Sequence, residues 1–356
     1  MIVETFALAT ATSAVTVGLL RRYMKEANVT DKPIVTEHSH KAGTPIMGGL
    51  GILLGTSAGP LISSIQALPP LVSALPMLVL GIVDDLLGLQ VEEFQKVVRN
   101  VSNEPIELGR LVLEPGEEAR VATEKAKRDL ERIMKENPEA IEIVGEVPIK
   151  KELSEREKLA LQAGAAAFVL PIIPATWLWI PGVGTINLSY AYYPLALFGV
   201  VGATNAVNLI DGMDGLAAGL LMIASLACSG VCLIYGQLPG AVYYASLAGA
   251  CLGFLFHNRY PASIFMGDTG SCFLGAAYAA GALYYKIEIP AVIALGVPVT
   301  STVISLLHRA GVIQLAVEPL HHHIHYKYRI PEPGVVALHW IAGAVCATAA
   351  LKIAGW

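Results

Sequence analysis

Ten apolar runs, each near the length needed to cross a bilayer, constrain this chain more than any other feature. A crossing helix needs about 20 predominantly apolar residues. Candidates lie at roughly 2–20, 47–66, 69–87, 159–179, 188–206, 215–235, 241–257, 268–285, 289–307 and 335–353. Hydrocarbon offers no water to unpaired backbone groups, so such runs are expected to fold as helices. Pro171, Pro174 and Pro298 fall inside runs, where neighbouring helices can satisfy the freed backbone groups. Composition agrees: 15% of the 356 residues are charged and mean hydropathy is +0.58, whereas soluble domains carry about 25% charged residues. The expected fold is an all-α polytopic membrane protein of about ten transmembrane helices. The first run is followed, not preceded, by Arg21 and Arg22, so it reads as a retained span and not as a signal peptide.

Basic residues set the orientation. With the N-terminus outside, 22 of the 24 Lys and Arg fall on the inner side, and only Lys286 and Lys352 fall outside. Long loops do not count towards the rule, but the short loops alone give nine inside against two outside. The reading is N-out and C-out. Asp84 and Asp85 then end the third span, Asp211 and Asp214 lie between the fifth and sixth, and Asp268 opens the eighth. His321, His322 and His323 lie in the last inner loop. All of these share one face, and carboxylates at the margin of hydrocarbon are usually functional.

Charge is uneven along the chain. Residues 88–158 hold 17 acids and 13 bases, leaving 12 acids and 11 bases for all the rest. This predicts three parts: spans 1–3 over 1–89, a soluble cytoplasmic α+β insertion over 90–150, and spans 4–10 with inner loops over 151–356. Within the insertion a charged helix is expected over 121–136, ended by Asn137-Pro138, among β-like runs such as IELGRLVLE. No basic stripe or motif for nucleic acid is present. Cys228, Cys232, Cys251, Cys272 and Cys346 all sit in apolar runs, as packing residues do.

Each acidic motif has a plain and a chemical reading. Asp84 and Asp85 are adjacent, so on a helix their side chains diverge by about 100°; they are either a solvated helix end or a divided pair, one near a metal and one near a nucleophile. Asn208, Asp211 and Asp214 recur every third residue beside Gly212 and Gly215, which suits either a shared face or helix capping. Asp268 in FMGDTGS is a hard oxygen ligand among small residues, a pattern suited to Mg²⁺, which takes one or two carboxylates and substrate phosphates. Phe265 is placed to stack on a base or to pack. Lys41, Gly43, Gly48 and Gly49 combine a cation with open backbone, as anion sites do. The His321–His323 run lacks a further Cys or acid at zinc spacing, which favours phosphate contact or catalytic support.

Taken together, KAGTPIMGGLG, GIVDDLLGL, LSEREKLALQ, NAVNLIDGMDGLA, FHNRYPASIFMGDTGS and EPLHHHIHY resemble the polyprenyl-phosphate N-acetylhexosamine-1-phosphate transferases, glycosyltransferase family 4, and within it the MraY-type phospho-N-acetylmuramoyl-pentapeptide transferases. These strings span residues 41–326 in the order that family shows. The resemblance implies a ten-span plasma-membrane enzyme with its active site facing the cytoplasm. A polyprenyl phosphate would attack the β-phosphate of a UDP-linked N-acetylsugar and release UMP, with Mg²⁺ as cofactor. It implies Asp268 as the Mg²⁺ ligand and Asp84 orienting or deprotonating the lipid phosphate with support from Asp85. Asn208, Asp211 and Asp214 would line the nucleotide-metal pocket. Asn258 and Phe265 would contact uracil with Lys41 nearby, Lys158 would meet phosphate, and His321, His322 and His323 would complete the site. Relatives of this type suggest a homodimer.

Three departures bear on the donor. Ile324 and His325 stand where the family has an aromatic residue and then Glu. NLIDG replaces an NLTDG-like string, nearer to the simpler GlcNAc-1-phosphate transferases. Typical bacterial members lack the 90–150 insertion. A UDP-GlcNAc:polyprenyl-phosphate transferase for glycan or N-glycan assembly is therefore the alternative within the class. A secondary transporter is the alternative outside it, although such proteins place their ionisable residues near the bilayer midplane at a repeat interface.

Overall fold

The computed structural model describes residues 1–31, 43–109, 111–121, 123–151 and 153–355. The chain forms two compact units, the larger from Met1–Asp31, Gly43–Asp85 and Leu153–Trp356, the smaller built on Leu86–Glu152. In chain order the larger opens with α1 (Ile2–Glu26), α2 (Gly49–Ser63), α3 (Leu68–Ser73) and α4 (Leu75–Leu87). The smaller carries β1 (Val91–Asn100), β2 (Ile106–Leu108), β3 (Leu111–Leu113), β4 (Glu118–Arg120), α5 (Glu124–Glu136) and β5 (Ile141–Lys150). The larger unit resumes with α6 (Glu155–Ala166), a 3₁₀ turn over Ala167–Ile172, β6 (Trp177–Ile180), β7 (Gly184–Asn187), α7 (Tyr192–Ile210) and α8 (Leu216–Ile234). It closes with α9 (Leu238–Asn258), α10 (Gly267–Tyr284), α11 (Glu288–Ala294), α12 (Gly296–Arg309), α13 (Leu320–Tyr328) and α14 (Glu332–Ala354).

Among the described residues, five helical segments are long and apolar enough to cross a membrane: Ile2–Glu26, Ser189–Ile210, Leu216–Ile234, Leu238–Asn258 and Glu332–Ala354. The number rises to seven if each of two bent pairs is one span, Ile65–Ser73 with α4 (bent 43°) and α11 with α12 (bent 74°). Of the remaining expected runs, α2 has 15 residues, or about 22 Å at 1.5 Å per residue, and α10 has 18. The run 159–179 is not one helix, and the larger unit is not all-α. Pro171 and Pro174 remove backbone donors and crowd the preceding turn. α6 therefore stops at Ala166, and Trp177–Ile180 pairs antiparallel with Gly184–Asn187.

Small residues bring the helices of the larger unit together at backbone distance, the usual means of association where lipid tails are as apolar as the side chains. A Cβ on Gly49 would lie 2.1 Å from Gly270 Cα, and one on Gly81 would lie 2.2 Å from the Asp268 carbonyl oxygen. On the other side of α10, a Cβ on Gly275 would lie 2.5 Å from Thr204 Cα on α7. Between α9 and α1, Gly249 and Gly253 do the same against the Phe6 and Thr10 carbonyls. The core beside these seams holds Tyr243, Tyr244 and Tyr278, fully buried. Their hydroxyls donate to the carbonyls of Ala277, Tyr278 and Ala291 at 2.7–2.8 Å, so ring burial costs no unpaired hydroxyl.

In the smaller unit, β1 lies between β4 and β5 in an antiparallel sheet, and β2 pairs with β3. Val98, Leu108, Leu113, Val121, Ala126, Leu130 and Ile141 form its separate core. Thr123 caps α5 by accepting from Ala126 N at 3.1 Å, and Asn137 ends the helix. The helix expected over 121–136 thus runs over 124–136.

The Gly49–Gly270 approach leaves no space for a methyl group. Gly49→Ala is expected to force the backbones apart at a cost of about 1–3 kcal/mol. Thermal unfolding in detergent checks this, and an unchanged midpoint would contradict so close an approach.

Candidate active site

The site is assembled around the first turn of α10. A helix start leaves backbone N–H groups without intrahelical partners. Here the acceptor comes from another helix: Asp85 on α4 takes Asp268 N at 2.9 Å, Thr269 N at 3.0 Å and Thr269 Oγ1 at 2.6 Å. Gly267, one residue earlier, has φ +71°, and a Cβ there would sit 2.5 Å from Asp85 Oδ2. Both facts require glycine. A carboxylate at a helix N-terminus also meets the positive end of its dipole. Asp85 therefore fixes where Asp268 begins.

Asp84, one residue earlier, points elsewhere. Lys158 on α6 places its Nζ 2.5 Å from Asp84 Oδ2 and 2.5 Å from Asp268 Oδ2. The other Asp268 oxygen accepts from Asn208 Nδ2 on α7 at 2.7 Å, and the same nitrogen donates to Ser271 Oγ at 2.9 Å. Four elements thus contribute to one cluster: α4, α6, α7 and α10. Lys158 reaches it because α6 starts with a capping box. Ser154 Oγ accepts from Glu157 N, and Glu157 Oε2 accepts from Ser154 N at 3.0 Å. Burial works against the Lys158 charge, but the Asp268 and Asp84 carboxylates outweigh it and hold the ammonium above the ordinary lysine range.

A second network fixes the loop between α7 and α8. Asn258 at the end of α9 accepts from Gly215 N at 3.0 Å and donates to Ile264 O at 3.0 Å. Asp214, 7% exposed, accepts from Ala262 N at 2.8 Å, and its own backbone N–H donates to Glu332 Oε1 at 2.8 Å. Asp211 ends α7, its N–H reaching Asn208 O at 3.3 Å. Asn208 and Gly212 link the acidic cluster to the histidines: a Cβ on Gly212 would lie 2.3 Å from His321 Nε2 and 3.1 Å from His322 Nε2. The His321 and His322 rings stand 4.5 Å apart, and His323 Nδ1 accepts from Ala316 N at 2.8 Å. Phe265 is held by its backbone, N–H to Pro45 O at 2.8 Å and carbonyl to Gly48 N at 2.9 Å. Lys41 lies outside the described residues.

The structure thus joins Asp84, Lys158, Asn208 and Asp268 directly, with Asp85 behind them. Asp214 and Asn258 sit in the loop network, and His321 and His322 pack on Gly212. Glu332, Thr269 and Ser271 were not foreseen: a glutamate opening a helix after Pro331 and two hydroxyls beside Asp268 read as ordinary capping residues.

Among the described residues no three His, Cys, Asp or Glu side chains gather as a metal cage. The donor set still fits a hard divalent ion that is completed by substrate phosphates. The Lys158 ammonium already stands as a cation between the Asp84 and Asp268 carboxylates, and the Asp268 side chain keeps 28% of its surface exposed.

Comparison with known proteins gives a consistent result. The profile of glycosyl transferase family 4 matches residues 141–286. A protein of Methanothermobacter thermautotrophicus, provisionally named phospho-N-acetylmuramoyl-pentapeptide-transferase, is 47% identical over 355 residues, covering 98% of this chain and 97% of the relative. That match runs through most of residues 90–150. Proteins named phospho-N-acetylmuramoyl-pentapeptide-transferase from Thermodesulfovibrio yellowstonii and Chlamydia muridarum are 40% and 37% identical over 188 and 226 residues. Those matches cover 47% and 57% of this chain, and 52% and 67% of the relatives.

The Asp85 contacts predict a graded series. Asp85→Ala removes the acceptor for two backbone donors and should cost about 1–2 kcal/mol, as loss of a helix cap does. Asp85→Asn keeps one acceptor oxygen and should recover part of that. The check is the order of unfolding midpoints, wild type above Asn above Ala.

Proposed function

The chain belongs to glycosyl transferase family 4, in its phospho-N-acetylmuramoyl-pentapeptide-transferase group, and from that premise we propose that it is an integral membrane phosphosugar transferase. It moves an N-acetylsugar 1-phosphate of the MurNAc-peptide kind from a UDP-sugar to polyprenyl phosphate. The products are a polyprenyl-pyrophosphoryl sugar and UMP. The observation that carries this is the joining of Lys158, Asp84, Asp268 and Asn208 from four separate elements into one charged cluster. The acceptor phosphate oxygen attacks the β-phosphorus of the donor, and the bond from that phosphorus to the UMP oxygen breaks.

On this reading each residue takes a role. Lys158 neutralises phosphate charge, and Asp84 beside it orients the acceptor phosphate and takes its proton. Asn208 holds Asp268 in place, while Asp85 sets the helix start that carries Asp268 and so acts through position. Asp211, Asp214 and Asn258 shape the nucleotide side, with Phe265 towards the base; for Lys41 the same role rests on the family resemblance alone. His321 and His322 brace the Gly212 turn, and with His323 they complete the site. Asp268 would hold Mg²⁺, which when bound neutralises charge on the transferring pyrophosphate.

In this reading the chain crosses the plasma membrane ten times, N-out, with the cluster facing the cytoplasm, as the short-loop bases require. The 90–150 segment is a soluble appendage on the same side, and the enzyme works as a homodimer. A second donor, UDP-GlcNAc, is favoured by one observation. Ile210, where an NLTDG-like string has Thr, is fully buried and leaves no hydroxyl at that position.

UMP release by purified protein tests the proposal. The assay supplies polyprenyl phosphate and Mg²⁺ with UDP-GlcNAc, UDP-GalNAc or UDP-MurNAc-pentapeptide in turn. Lipid-dependent release with one donor is expected and names the branch; absence of both release and nucleotide binding would overturn it. Asp268→Ala should lower turnover about a thousandfold or more while the protein stays folded, and a wild-type rate would sink the metal assignment. Replacing residues 95–148 by a short linker should leave measurable turnover.

A further inference from the structure

One turn past Lys158, α6 buries a second polar side chain. Gln162 is 1% exposed. Its Oε1 accepts from Asn205 Nδ2 on α7 at 2.7 Å, and the same Asn205 nitrogen donates to the Val201 carbonyl at 2.8 Å. A carbonyl oxygen only accepts, so Val201 fixes the Asn205 amide with its nitrogen towards Gln162. Gln162 must answer with its oxygen, which turns its own NH₂ group away from Asn205. That Nε2 is buried and has no hydrogen-bond partner among the described residues. A buried donor left unmade costs free energy that an apolar residue of the same size would avoid, so a ligand oxygen is the natural occupant of the vacant bond.

Position identifies the ligand. Lys158 and Gln162 are four residues apart on α6 and share a face; Asn205 is three residues before Asn208 on α7. The spare NH₂ therefore lies one helical turn from the Lys158–Asp84–Asp268 cluster, on the side where α6 enters its apolar run. A nucleotide sugar arrives from water through the loops. A lipid phosphate arrives along the hydrocarbon, and its phosphoryl oxygens are strong acceptors for N–H donors.

We propose that Gln162 is a binding residue for the acceptor, its Nε2 donating to a phosphoryl oxygen of the lipid phosphate while Lys158 carries the charge. This rests on the transferase reading. Gln162→Met keeps the length of the side chain and removes the donor. The expected result is a KM for polyprenyl phosphate raised about tenfold, as loss of one hydrogen bond to a charged group gives, with the UDP-sugar KM within twofold of wild type and no lower unfolding temperature. Gln162→Glu, which keeps the oxygen for Asn205 but opposes a phosphate, should raise the lipid KM as well and serves if the Met variant does not fold. A lipid KM unchanged in both variants overturns the proposal, as does an equal rise for both substrates or a fall in kcat with both KM values unchanged; an internal water on Nε2 would give the first. Lipid-phosphate binding measured by native mass spectrometry separates the two readings. Wild-type protein that binds the lipid but releases no UMP defeats the transferase reading, whereas equal binding by wild type and Gln162→Met defeats this one.

Discussion

Much of the site hangs on how the first turn of α10 is held. Two backbone N–H groups there have no partner within their own helix, and a carboxylate from α4 supplies one. Gly267 lets that carboxylate approach, and Gly49 and Gly81 let α2 and α4 close on the same turn. In surroundings of low polarity an unpaired donor is expensive, so these contacts are mutually dependent. Asp268 begins this turn. Its two oxygens meet partners from two further helices, α6 and α7, only because its backbone is pinned.

The adjacent aspartates show how one helix can serve two purposes. Successive side chains diverge by about 100°, so Asp85 turns to the backbone of α10 while Asp84 turns to Lys158. One carboxylate is spent on architecture and one on charge. The remaining cluster, two carboxylates and one ammonium, carries a net negative charge. That suits a place where a divalent cation and phosphates meet, since a cation lowers the repulsion that the paired acids would otherwise feel.

The histidines contribute through packing. His321 and His322 lie on Gly212, so α13 presses on the turn that links Asn208 to Asp214. Glu332, from the next helix, accepts the Asp214 N–H and ties the same turn from α14. The 208–215 stretch is therefore held from both sides, by the acidic cluster at one end and by α13 and α14 at the other.

Much of this was legible in the residues. The apolar runs announced the helices, the surplus of charge over 88–158 announced a segment of different character, and α5 ends at Asn137 as its sequence says. The acids at run ends drew attention to Asp84, Asp85 and Asp268, which the structure brings together. Other features were not legible. The run 159–179 is uniformly apolar, yet two prolines convert its end into a hairpin. Asp85, Asn258 and Asp214 bind backbone groups far away in sequence, and no periodicity reveals such partners. By itself the sequence determined which residues are apolar, which carry charge and how they are spaced, since those are properties of side chains and their order. Only the tertiary structure decided which aspartate faces Lys158, which one caps α10, and that Gln162 is left with a spare donor. Those outcomes depend on helices meeting at backbone distance, and the direction of a side chain at such a crossing is fixed by the neighbour it meets.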